Sequence, residues 1–163
     1  MKYLVVSDIH GDEYYTNYLF DLVNIENPDK IILLGDCFTL GNSRTRMLDF
    51  LNIYKDILVI IKGNMDMIDL DLLTYYEEII NDSKFVFTHG HIITPLSIQC
   101  DVFVQGHTHK NLLMETPHGI MFNPGSLAQP RGNTANSYGI ITDEELIIKD
   151  KDGLVIKQLS YRK

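Results

Sequence analysis

Seven residues able to bind a metal ion fall in five short motifs. They are Asp8 and His10 in Ser7-Asp8-Ile9-His10-Gly11, Asp36 in Gly35-Asp36, and Asn64 in Gly63-Asn64-Met65-Asp66. His89 lies in His89-Gly90-His91, and His107 and His109 in Gly106-His107-Thr108-His109. The chain has 6 histidines, and only His118 lies outside these motifs. Carboxylate, amide and imidazole donors without a thiolate suit a pair of hydrolytic divalent ions. Each fragment alone is weak evidence, because Asp-x-His and Gly-Asp recur in ordinary turns. Their joint occurrence carries the reading.

Nearly every motif follows a run that reads as a buried β-strand. Tyr3-Leu4-Val5-Val6 precedes Asp8, Ile31-Ile32-Leu33-Leu34 precedes Asp36, and Ile57 to Ile61 precedes Asn64. Phe85-Val86-Phe87 precedes His89, and Val102-Phe103-Val104 precedes His107. Ligands leaving the carboxyl ends of neighbouring strands converge on one rim of an α/β sheet. Asp8 and His10, two apart in an extended chain, would point the same way. The glycines at 11, 35, 63, 90 and 106 permit tight turns beside the ligands.

Between the strands, helical spacing predicts a helix from about Asp12 to Asn24, with Tyr15, Tyr18, Leu19, Leu22 and Val23 as its core stripe. Asn27-Pro28-Asp29 ends it. A second helix is expected over Arg44 to Tyr54, with Met47, Leu48 and Leu51 on one face, and a third from about Leu70 to Ile80. This β-α-β-α-β-α opening is the pattern of a parallel sheet. After Lys84 the chain turns β-rich. Further short strands are expected at 112–114, 120–122, 138–141, 145–148 and 154–159, and Asp152-Gly153 signals a type I′ hairpin. One α/β domain over residues 1–163, with two stacked mixed sheets flanked by helices in an α/β/β/α order, fits best.

A chain of 163 residues, 45% hydrophobic, is long enough to bury a core unaided. The net charge of -8 argues against a broad surface for duplex nucleic acid. It leaves room for a small phosphorylated substrate, since bound metals reverse the local sign. Cys37 and Cys100 form neither a ligand pair nor a disulfide framework, so both read as buried thiols in a reducing cytosol. No apolar stretch is long enough to span a bilayer. The expectation is a cytoplasmic protein without membrane attachment.

The motif order Asp-x-His, Gly-Asp, Gly-Asn-x-Asp, His, Gly-His-x-His along residues 8–109 resembles the calcineurin-like metallophosphoesterase superfamily. Its compact length and Phe122-Asn123-Pro124-Gly125-Ser126 resemble the small YfcE-type phosphodiesterase branch. The resemblance implies two metal sites. Asp8, His10, Asp36 and His109 would hold one ion, and Asp36, Asn64, His89 and His107 the other, with Asp36 bridging. It also implies hydrolysis of a small phosphodiester by a hydroxide shared between the ions. Asp36, Asn64, Asp66 and His107 are the residues assigned to that catalysis. By analogy with the branch the ions are manganese first, with nickel, zinc, iron or cobalt as alternatives.

Many relatives carry histidine where this chain has Met65, so protonation of the leaving group falls to another group or to water. Asp66 is expected either to orient a metal ligand from behind or to cap the helix expected after it. His91 lies near the site, Asn123 and Ser126 shape a turn behind it, and Arg131 reads as surface charge, with a phosphate contact as the alternative. Residues 90–106 alone separate His89 from His107, which suggests an open cleft. A homo-oligomer is compatible with the resemblance. The alternative functions are a phosphomonoesterase and a non-catalytic scaffold of the same fold.

Overall fold

The computed structural model describes residues 1–38, 43–66 and 70–162. Two mixed β-sheets stack face to face. The first contains β1 (Tyr3–Val6), β2 (Lys30–Leu33), β3 (Leu58–Ile60), β9 (Ser137–Ile141), β10 (Glu145–Asp150) and β11 (Val155–Ser160), in the order β11-β10-β9-β1-β2-β3. The second contains β4 (Tyr75–Ile80), β5 (Ser83–Thr88), β6 (Val102–Gln105), β7 (Asn111–Thr116) and β8 (Gly119–Pro124), in the order β4-β5-β6-β8-β7. β1, β2 and β3 pair in parallel, as do β5, β6 and β8.

Strand alternation divides the apolar residues between two cores. Tyr3, Val5, Ile32 and Leu34 face Phe85, Phe87, Val102, Val104 and Phe122 between the sheets. Leu4, Val6, Ile31 and Leu33 face the opposite way, onto α1 (Glu13–Glu26) and α2 (Arg44–Tyr54). Both helices therefore cover the six-stranded sheet. Among the described residues no helix covers the outer face of the five-stranded sheet.

Helix α1 starts where Asp12 accepts the Tyr15 N–H, and it stops at Asn27, whose left-handed backbone donates to Val23 O. Its buried stripe is Leu19, Leu22 and Val23, with Tyr15 and Tyr18 half-buried. On α2 the buried side chains are Met47 and Phe50, while Leu48 is half-buried. Phe50 meets Phe20 of α1 edge-on at 5.1 Å, so the helix–helix contact decides which α2 face turns inward.

The helix expected over Leu70 to Ile80 is not formed; Tyr75–Ile80 is strand β4. The sequence Tyr-Tyr-Glu-Glu-Ile-Ile alternates with the period of a strand. In β4 Tyr76, Glu78 and Ile80 turn inward, and six backbone pairs with β5 close that edge. Glu78 is tolerable there because Lys30 Nζ lies 2.7 Å from it. The Asp152-Gly153 hairpin is present, but not as type I′. Gly153 N–H donates to Asp150 O at 3.0 Å, and of the turn residues only Gly153 has positive φ, at 86°. One extra residue is absorbed by a bulge beside Ile148 and Lys149.

Candidate metal centre

The motifs meet on one rim, beyond the carboxyl ends of β1, β2, β3, β5 and β6. Asp8, Asp36, His89 and His109 are buried, His10 and His107 are half-buried, and Asn64 is exposed at the mouth. Asp8 Oδ1 lies 3.6 Å from His10 Nε2 and 3.3 Å from His109 Nε2. Asp36 Oδ2 lies 3.6 Å from His10 Nε2 and 3.3 Å from His89 Nε2, so it stands between the two halves of the site. His89 Nε2 in turn lies 3.0 Å from Asn64 Oδ1 and 3.3 Å from His107 Nδ1. Asp8, His10 and His109 form one compact donor group, and Asp8, Asp36 and His89 another.

The convergence does not come from extended strands. β1 ends at Val6, and Asp8, His10, Asp36, His107 and His109 all hold left-handed backbone, with φ of 56°, 52°, 53°, 65° and 60°. Alternation along a strand therefore does not explain why Asp8 and His10 meet. Each such non-glycine residue stores strain of order 1–3 kcal/mol, held in place by its surroundings. Gly63 contributes space rather than a turn, since a Cβ there would sit 2.1 Å from Asp36 Oδ1.

Behind the donors lies a second set of contacts. Leu34 O, which can only accept, lies 2.7 Å from His89 Nδ1, so that nitrogen carries a proton and Nε2 is the nitrogen that faces the site. Gln129 O does the same for His109 Nδ1 at 2.7 Å. Ser7 Oγ and the His107 N–H both donate to Asp8 Oδ2, at 2.6 and 3.0 Å. Ser126 Oγ donates to Asp8 O, and Asn123 Nδ2 to Gly106 O, so both brace the ligand loops. Leu34, Gln129 and Ser7 were not among the expected site residues. A backbone carbonyl leaves no side-chain signal in a sequence, and a serine beside an aspartate is too common to be one.

Asp66 caps no helix, since none follows it among the described residues. Its Oδ2 accepts from Asp36 N and Gly63 N at 2.9 and 2.6 Å. Its Oδ1 accepts from Cys37 N and Phe38 N, both at 2.8 Å. It clamps the Asp36 loop through the backbone and reaches no histidine by a hydrogen bond.

Burial disfavours charge on Asp36, yet hydrogen bonds from His89 and the Met65 N–H outweigh it and hold the carboxyl below its ordinary pKa. Burial also disfavours charge on His89, and Asp36 and Asp8 outweigh it, raising that pKa. For His91 burial and the neighbouring His89 and His107 act together and lower it. His91 is exposed, 5.2 Å from His89 between ring centres. Cys37 is buried with Sγ toward Gly35 O, and burial pushes its thiol well up, which makes it a packing residue. Cys100, expected to be buried, is partly exposed.

The donor set fits divalent cations. Asp8 Oδ1 is wholly buried and accepts no hydrogen bond, a costly state for a carboxylate oxygen that a cation would relieve. His109 Nε2 lies 3.1 Å from His10 Nε2 and 3.3 Å from Asp8 Oδ1. Oxygen and imidazole donors without sulfur match the borderline and hard divalent metals.

Comparison with known proteins gives the chain a family and a fold. The chain is 28% identical to phosphodiesterase YfcE of Escherichia coli (strain K12) over 98% of each chain. It is 27% identical to phosphodiesterase MJ0936 of Methanocaldococcus jannaschii, covering 77% of this chain and 83% of the relative. The solved structure of Yfce, a phosphoesterase from E. coli, superimposes with a TM-score of 0.89 at 25% identity, over 99% of this chain and 100% of that one. Vps29 from Entamoeba histolytica complexed with Zn2+ shares the fold, with a TM-score of 0.69 at 22% identity, over 99% and 100%. The model of the calcineurin-like phosphoesterase superfamily domain matches residues 1–145, and the chain belongs to that superfamily.

Proposed function

We propose that the chain is a metal-dependent phosphodiesterase acting on small diesters. The observation that carries this reading is the buried Asp8 Oδ1, without a hydrogen-bond donor, facing the Nε2 atoms of His10 and His109 at 3.6 and 3.3 Å. The names of the relatives support the diesterase class. Asp8, His10, Asp36 and His109 would hold one ion, and Asp36, Asn64, His89 and His107 a second, with Asp36 common to both. Manganese is the first choice, and zinc, nickel, iron and cobalt suit the same donors. When bound, such a pair supplies Lewis acidity and lowers the pKa of water.

The protein's own part is positioning. Leu34 and Gln129 set the tautomers of His89 and His109. Asp66 sets the Asp36 loop, and Ser7 and the His107 N–H fix the rotamer of Asp8. Asn64, at the exposed mouth, would meet an ion through its Oδ1 and an incoming phosphoryl oxygen through its amide N–H. Met65 beside it carries no proton to give, so an alcohol leaving group departs without help from that position. The whole of residues 1–163 is read as one catalytic domain. No helix among the described residues is long and apolar enough to cross a membrane, and a cytoplasmic location is part of the proposal.

The test is hydrolysis of bis-p-nitrophenyl phosphate by chelator-stripped protein, with and without manganese. Activity restored by metal, and reduced more than about 100-fold by Asp36→Ala or His107→Ala, is expected. Folded protein inactive with every divalent ion tried would sink the proposal.

A further inference from the structure

Beside the His107-Thr108-His109 loop lies an open cavity of about 580 Å³, lined by Gln105, Thr108, Lys110, Asn111, Leu112, Asn123, Arg131 and Thr134. None of these residues is acidic, in a chain whose net charge is -8. Two are cations, and among the described residues neither the Lys110 ammonium nor the Arg131 guanidinium meets a carboxylate. Lys2, Lys30, Lys84, Lys149, Lys151 and Arg162 are paired with acids, while Lys55, Lys62, Lys157 and Arg46, like Lys110 and Arg131, meet none among the described residues; only Lys110 and Arg131 share a cavity.

The backbone brings the two cations together. Lys110 follows His109, and the Arg131 N–H donates to His109 O at 3.0 Å. Thr134 Oγ1 donates to Arg131 O at 2.8 Å and closes the Arg131 turn. Gly132 has φ of 62°, and a Cβ there would come within 2.8 Å of Lys110 Cε. The glycine thus lets the lysine stem lie across the turn that presents Arg131. The turn that carries Arg131 is thus tied to the backbone of His109, whose Nε2 lies 3.3 Å from Asp8 Oδ1.

We infer that Lys110 and Arg131 form a subsite for a second phosphate, carried on the ester arm of the diester that is retained or released at the metal centre. The inference rests on the phosphodiesterase reading and narrows its substrate class to diesters that carry an additional phosphate. Arginine binds phosphate through paired N–H groups and lysine as a point charge. Gln105, Asn111 and Thr108 add neutral polar atoms to the lining, and Leu112 adds an apolar floor.

Two activated esters make the test. One is the p-nitrophenyl ester of thymidine monophosphate; the other carries a second phosphate on the sugar. In each, water adds to phosphorus and the bond to p-nitrophenolate breaks, so any difference reports the second phosphate. With manganese, the bisphosphate ester is expected to have a kcat/KM about ten-fold higher, mainly through KM. The double variant Lys110→Gln with Arg131→Gln is expected to bring that ratio close to one. A ratio near one in the unaltered protein, or a ratio the double variant leaves intact, overturns the inference.

A second arm needs no turnover. Thymidine bisphosphate should bind chelator-stripped protein about ten-fold more tightly than it binds the double variant, as read by calorimetry. No difference overturns the subsite. If neither ester nor bis-p-nitrophenyl phosphate is hydrolysed while this difference persists, the phosphodiesterase reading fails and the anion site stands.

Discussion

Asp66 holds Asp36 without touching its carboxylate: Asp66 Oδ2 accepts the Asp36 N–H at 2.9 Å, and the same carboxylate gathers the N–H groups of Cys37, Phe38 and Gly63. One buried side chain thus ties the loop after β2 to the loop after β3. The left-handed backbone of Asp36 is held by that tie. Replacing Asp66 with Ala leaves four N–H groups without their acceptor. The expected cost is about 3–5 kcal/mol by urea unfolding, with manganese affinity reduced as well. Asp66→Asn keeps one acceptor oxygen and should fall between. Unchanged stability in both variants would refute the clamp.

Asp8 makes a contrasting prediction. Its Oδ1 is buried without a hydrogen-bond donor, while Oδ2 takes two bonds that an amide oxygen could also accept. Asp8→Asn should therefore leave chelator-stripped protein as stable as before, or more so. Manganese should raise the Tm of the unaltered protein, by mass action on the folded state, and fail to raise that of the variant. Differential scanning calorimetry with and without metal reads both. An equal metal-induced shift in the two proteins would remove Asp8 from the ligand set.

Glu26 governs acid stability. Burial pushes its carboxyl up, but Lys149, Lys2 and the Tyr138 hydroxyl outweigh burial and hold the pKa at about 2. The Nζ atoms lie 2.8 and 2.7 Å away and the hydroxyl 2.7 Å. Because the folded pKa is below the unfolded value, the contribution is complete above pH of about 4.5 and is lost as the pH falls toward about 2. Glu26→Gln should cost about 2 kcal/mol near neutral pH, between exposed and buried pairs. The gap in urea midpoint should close on acidification. A gap independent of pH would contradict the assignment.

Met65 shapes the rate. Its N–H donates to Asp36 Oδ1 at 2.8 Å while its side chain is 43% exposed at the mouth of the site. With no acid there, rates should fall steeply as the leaving-group pKa rises. Met65→His should flatten that dependence and favour alkyl esters by about ten-fold or more. Similar rates for activated and unactivated esters in the unaltered protein would show that another acid serves.

The candidate donors, the strand ends that bear them and α1 were legible because each is local. A buried strand is a short apolar run, and a helix is a stripe of set period. Tyr75–Ile80 was not legible, since its pattern satisfies a helix and a strand alike, and pairing with β5 chose between them. The sequence by itself determined which donors exist and that they follow strands. Only the tertiary structure decided how they converge. Five left-handed residues, the carbonyls of Leu34 and Gln129, and the four-fold grip of Asp66 all depend on contacts between segments far apart in the chain. Backbone groups are identical in every residue, so their placement is invisible until the sheets have stacked.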